Sequence, residues 1–250
     1  MRKDRYEVAI SPRNSRQKPV GIIFLCVFLS FEFLSFEILI YFADTSMVER
    51  IMESHRVQEM MRLMAARIRS IANTIADEDV KKFLNELLQA KRIYVIGAGR
   101  SGLVAKAFAM RLMHLGLHAY VVGETITPAL NKGDLMVVFS GSGKTKTIAD
   151  IADTAHEIGA HICLITSNAD SRIGNLSQCI VIIEHQRDAV LDEAVEFEIR
   201  QMMGENKSFA PLGTIFETAS MIFADAVISR LMEITQTDEN ALKNRHTNIE

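Results

Sequence analysis

Five short apolar runs alternate with helix-length segments, and this alternation restricts the fold more than any other feature of the chain. The runs are Arg92-Ile-Tyr-Val-Ile96, Ala119–Val122, Leu135–Phe139, Ile162–Ile165 and Cys179–Ile183. A strand that reads as continuous apolar residues, not as an alternation, is buried on both faces, as in a parallel sheet covered by helices. Helical segments are predicted over about Ser101–Leu115 and Thr145–Ile158, with a short one before Cys179. Thr214–Met232 and Asp238–His246 follow the last run. The expected fold is therefore α/β, a five-stranded parallel sheet with helices on both sides and right-handed crossovers.

Ahead of the sheet, Asp79–Ala90 reads as a helix with Val80, Phe83, Leu84, Leu87 and Leu88 on one side. Met47–Ile75 carries apolar residues at helical spacing, including Met60, Met61, Met64, Ile68 and Ile71. Such a methionine stripe predicts core or an oligomer contact. One domain is expected over residues 47–250.

Residues 1–46 form an apolar extension of another kind. Val20–Phe42 is long enough to cross a bilayer, although Glu32 and Glu37 oppose insertion. Six basic residues precede it against two acidic ones, which would hold that end in the cytoplasm and place residues 43–250 outside. Two readings stand: Val20–Phe42 anchors the chain, or the true start is Met47.

The net charge of −3, with no basic stripe, argues against a nucleic-acid partner. Cys26, Cys163 and Cys179 match no metal or redox spacing, and no His or carboxylate clusters with them. No metal is expected, and Cys163 and Cys179 read as reduced core thiols.

Two loops carry the chemistry. Gly97-Ala-Gly-Arg-Ser-Gly102 follows the first run and opens a helix, so backbone N–H groups and a helix dipole face whatever lies beyond the strand. The spacing also fits a dinucleotide fingerprint, with Glu124 near the end of the next run, so NAD stays open on this motif alone. Ser140-Gly-Ser-Gly-Lys-Thr145 follows the third run. It lacks the first glycine of a nucleotide-binding P-loop, because Val138 stands there. What remains is a cradle of hydroxyls (Ser140, Ser142, Thr145), glycine backbone (Gly141, Gly143) and one cation, Lys144, suited to a phosphomonoester. Both loops lie at strand carboxyl ends, the ligand-binding edge of an open parallel sheet.

These loops occur in order with Ala109–Gly116, Val122–Pro128, Ala210-Pro-Leu-Gly-Thr-Ile-Phe-Glu217 and Arg245-His-Thr-Asn-Ile-Glu250. Together the stretches resemble the 6-phospho-3-hexuloisomerases of the sugar isomerase (SIS) family, over about residue 90 to the end. The resemblance implies a flavodoxin-like three-layer SIS fold with N-terminal helices and a cytoplasmic homotetramer with shared active sites. It implies conversion of D-arabino-hex-3-ulose 6-phosphate to fructose 6-phosphate through a 2,3-enediol, as in the ribulose monophosphate pathway, without a cofactor.

Glu217 is the implied base. Its residues alone also fit a capping box on Thr214, in which the glutamate serves the helix end. His246 sits in a polar tail and alone reads as an exposed histidine; the resemblance implies a tail reaching a neighbour's site, with His246 shuttling protons. Gly99, Arg100 and Ser101 are expected substrate contacts, although Arg100 and Ser101 serve equally to order the tetramer. His114 and His118 flank a helix end and read as structural. Two other functions fit the same pattern: an SIS sensor that binds a sugar phosphate without turnover, or an isomerase of a different sugar phosphate. The sensor is disfavoured because residues 47–90 offer two helices and no recognition helix.

Overall fold

The computed structural model describes residues 55–183, 214–246 and 248. Val20–Phe42, the Met47 start, the stretch 210–213 and residues 247, 249 and 250 lie outside them. Contacts divide the chain into residues 1–59 and 60–250, and the architecture below is that of the second unit.

The strands are β1 (Ile93–Gly97), β2 (Ala119–Val121), β3 (Leu135–Phe139), β4 (His161–Thr166) and β5 (Cys179–Ile182). They form one parallel sheet in the order β2-β1-β3-β4-β5. This is the flavodoxin-like order, whose topological switch lies between β1 and β3. The helices are α1 (His55–Ala72), α2 (Asp77–Gln89), α3 (Arg100–His114), α4 (Lys146–Ile158), α5 (Thr214–Thr235) and α6 (Glu239–Arg245), with a 3₁₀ turn at Gly174–Leu176.

Successive strand residues point to opposite faces, and each face has its own core. On one face Ile93, Val95, Leu135, Val137 and Phe139 pack with Phe83 and Leu87 of α2, Phe108 and Leu112 of α3, and Phe223 and Val227 of α5. On the other, Met136, Val138, Ile162 and Leu164 pack with Ile148, Ala149 and Ala152 of α4. This double burial explains the apolar runs. Cys163 and Cys179 are register partners on adjacent strands, both buried and free. The neighbouring thiol and burial push the Cys163 thiol up, and Cys179 Sγ donates to the Asp79 oxygen at 3.9 Å.

At the amino ends of the inner strands, buried Asp134 accepts two hydrogen bonds from Arg92, at 3.1 and 2.7 Å, and one from the Asn131 N–H. The clamp ties the start of β1 to the start of β3.

Part of the apolar stripe expected over Met47–Ile75 is core: Ile71 is buried, and Ile68 and Ile75 pack against the same cluster. In α1 the buried line is Leu63, Arg67 and Ile71, spaced by four residues, while Met61 is exposed. A helix of 3.6 residues per turn keeps residues four apart on one face, and Ile71 brings that face into the first core. Leu88 likewise faces outward on α2. Element ends otherwise differ from the expectation by one to three residues. Among the described residues no helix is long and apolar enough to cross a membrane.

Candidate active site

The first glycine loop is a turn in which strand and helix touch. A Cβ on Gly97 would stand 2.7 Å from the carbonyl carbon and oxygen of Ser101, and one on Gly102 would stand 2.7 Å from the Gly97 oxygen. Only glycine allows β1 to enter α3 through two intervening residues. Gly99 is the N-cap, at φ 56°, and the first N–H groups of α3 at Arg100 and Ser101 face the sheet's carboxyl edge.

From this turn Arg100 reaches α5. Its Nε donates to Glu217 Oε2 at 2.6 Å, across 117 residues of sequence. The Arg100 side chain is 61% exposed and that of Glu217 only 14%, so the carboxylate is the sheltered member of the pair. Thr214 is the first residue of α5. The carboxylate therefore binds a distant guanidinium in addition to whatever it offers its own helix end.

The second loop is braced from outside. The Gly141 oxygen accepts from the Ser167 N–H at 3.0 Å and from Thr166 Oγ1 at 3.1 Å, and the Gly143 oxygen accepts from the Ile173 N–H at 3.3 Å. A Cβ on Gly143 would lie 2.1 Å from Ser171 Oγ. Arg172 pins this bracing segment to α4 through Asp150, at 2.8 Å, and Asp153. Inside the loop Ser142 Oγ accepts from the Lys144 N–H at 3.2 Å, and Thr145 is the N-cap of α4 without a side-chain cap bond. Ser140 Oγ is buried and has no hydrogen-bond partner. Phe216 closes the loop's inner side, its ring 3.2 Å from a Cβ placed on Gly141. The first turn of α5 thus leans on the second loop through Phe216 and reaches the first through Glu217.

The chain has the arrangement of an SIS domain, and the SIS domain family matches it over residues 86–196. A 3-hexulose-6-phosphate isomerase of Bacillus subtilis is 36% identical over 176 residues, which cover 70% of this chain and 89% of that protein. The chain belongs to the SIS family. Among its relatives is an uncharacterised protein of Aeropyrum pernix, 43% identical over 202 residues, 79% of this chain and 94% of that one. A solved structure from Methanococcus jannaschii, reported to infer the function of a 3-hexulose-6-phosphate isomerase, superposes with TM-score 0.64 at 30% identity. It covers 77% of this chain and 99% of that one. These relatives make this SIS protein a sugar-phosphate isomerase.

In this SIS domain Glu217, Arg100, Gly99 and Ser101 meet the loop Ser140–Thr145 at one edge of the sheet. His246 does not join them in the same chain. Its ring lies 5.0 Å from that of His114, at the other end of α3. Arg100 and His114 are about 21 Å apart at 1.5 Å per residue. Glu124, after β2, pairs with Lys106 at 2.6 Å on the surface. Sequence reading missed the brace at Ser171 and Arg172, the Phe216 contact and the Lys106 pair; only the φ-demanding glycine at 143 hinted at the first. Among the described residues no group of three or more His, Cys, Asp or Glu is placed to hold a metal ion.

Proposed function

We propose that the chain converts D-arabino-hex-3-ulose 6-phosphate to fructose 6-phosphate. The observation that carries the reading is the mostly buried Glu217 carboxylate, set between a phosphate-type loop and an open helix N-terminus and held by Arg100. The 6-phosphate would sit on the second loop, taking N–H groups at the start of α4, Lys144, and the hydroxyls of Ser140, Ser142 and Thr145. Glu217 then removes the C2 proton and returns it to C3. O3 gains a proton as the C2 proton leaves, which gives the 2,3-enediol, and O2 loses its proton as C3 is protonated. Arg100 donates to Glu217 through Nε, which leaves its two terminal nitrogens for the oxygen where charge develops.

The proton exchange between O2 and O3 falls to His246 from a second copy of the chain. The outer face of α3 supports this: Leu103, Met110 and Met113 are 64, 42 and 43% exposed and form one stripe with Lys106. Ile222 of α5 is 48% exposed. A twofold axis at the middle of this stripe would run two α3 helices antiparallel and bring one copy's tail to the other's Glu217. We take the assembly to be the tetramer the family resemblance implies, with the isomerase domain over residues 47–250. Its substrate places it in the cytoplasm.

The test is a coupled assay of fructose 6-phosphate formation by the purified chain, with EDTA present and NAD absent from the isomerase step. Turnover supports the reading. Tight binding of the sugar phosphate without product would favour a sensor, and turnover of another ketose phosphate alone would change the substrate. Ser140→Ala should raise KM about tenfold, the loss of one hydrogen bond to a charged group.

A further inference from the structure

We propose that Arg245 and His114 are positioning residues that set the ring of His246 for proton transfer. This rests on the reading of His246 as the proton carrier given above.

A helix leaves its last carbonyl groups without intrahelical partners. At the end of α3 Leu115 N–H returns to the Arg111 oxygen at 3.0 Å, Gly116 N–H to Met113 at 2.8 Å, and Leu117 N–H to Leu112 at 3.0 Å. These last two bonds are those of a Schellman closure around Gly116, which stands at φ 90°. One oxygen of the last turn is left, that of His114, and Arg245 Nη1 donates to it at 3.1 Å. The guanidinium lies against Gly116: a Cβ there would stand 3.2 Å from Arg245 Cζ and Nη2. The glycine therefore both reverses the chain and makes room for the arginine.

His246 follows directly. Its N–H closes onto the Lys243 oxygen at 3.2 Å, and its ring packs on that of His114, tilted by 33°. His114 is 3% exposed, fixed in the helix and backed by the core, whereas His246 is on the surface. One helix end thus holds two consecutive tail residues, Arg245 by a backbone oxygen and His246 by a side chain. A cavity of about 460 Å³ opens beside them, lined also by Arg111, Asp225, Ser229, Glu239 and Lys243. A tail of surface polar residues would otherwise sample many positions, and proton transfer demands one.

A double-mutant cycle on the full chain tests the proposal, with kcat and KM measured on D-arabino-hex-3-ulose 6-phosphate. His246→Gln should lower kcat on the order of a hundredfold. Arg245→Ala should lower kcat roughly tenfold with KM little changed, since only a proton-transfer geometry is lost. The double variant should be no slower than His246→Gln alone, because Arg245 acts through that ring. Arg245→Lys should recover part of the loss, and it replaces the alanine variant in the cycle if that variant does not fold. His114→Asn should give the same pattern. A slow His246→Gln beside a fully active Arg245→Ala would overturn the positioning role and leave the proton carrier standing. Losses that multiply in the double variant would also overturn it, as a merely structural effect. A fully active His246→Gln would overturn both readings.

Discussion

The two ends of α3 solve the same problem in opposite ways. At the N-terminal end the first helical N–H groups follow a turn of two residues at the sheet's carboxyl edge, and Arg100 crosses to Glu217. At the C-terminal end the carbonyl groups of the last turn are filled, three by the Schellman turn and its neighbour and one by Arg245. The open end can accept an anion; the closed end anchors a tail. One helix therefore separates binding from anchorage by about 21 Å, and both ends depend on a glycine for different reasons. Gly97 is needed for space, Gly116 for its backbone conformation.

The largest expected effect is at the open end. Glu217→Gln should lower kcat by about a hundredfold or more, the lower range for loss of a general base. The partner guanidinium is more than half exposed, so melting should report a change of no more than about 1 kcal/mol. A destabilised variant with near-normal turnover would show that the carboxylate serves the helix end and not the substrate.

Next come the two glycines, which set the ends against each other. Gly97→Ala puts a Cβ 2.7 Å from backbone that cannot swing aside. It should cost about 3 kcal/mol by overpacking, measured by chemical denaturation, and activity should fall with it. Gly116→Ala meets no backbone, only the Arg245 side chain at 3.2 Å, but must adopt φ 90°. It should cost about 1–2 kcal/mol, the penalty of the left-handed region for a residue with a Cβ. Equal costs at the two positions would remove the distinction between space and conformation.

How much of this was legible beforehand follows from the range of each interaction. The strands could be read because burial on both faces leaves a local mark in composition, and the two loops because tight strand-to-helix connections place glycine next to the strand end. The edge where the loops meet followed from the parallel pattern, whereas the order β2-β1-β3-β4-β5 was implied only by the family resemblance. The pairings did not. Arg100 meets Glu217 over 117 residues and Arg245 meets His114 over 131, and no period in sequence encodes such separations. The stripe of α1 was legible in part: Ile71 is buried as its spacing suggests, but Leu63 and Arg67 are buried as well, and neither belonged to the stripe. The family resemblance pointed to Glu217 and His246, but it was the fold that put them at opposite ends of one helix.

The smallest effect belongs to the closed end and is read as a pH dependence of stability. Burial holds the pKa of His114 below its ordinary value of 6.5, and the positive charges of His246 and Arg111 act in the same direction. In the unfolded chain the residue titrates near 6.5. As the pH falls through that value the unfolded state binds a proton that the folded state refuses, so stability declines on acidification; above it the residue is neutral in both states and contributes nothing. Asp225, Glu239, Lys243, Arg111 and His246 line the same cavity and are the charged or titratable groups around this ring. Chemical denaturation from pH 7.5 to 5 should therefore show a shallower slope for His114→Phe than for the unaltered chain. His246→Gln, which removes a charge that repels a proton on His114, should lie between them. The open end has no histidine in Gly97–Gly102 or Thr214–Thr218. Glu217→Gln should accordingly leave the slope between pH 7.5 and 6 unchanged, and an unaltered slope in His114→Phe would show that the buried ring is not the group that titrates.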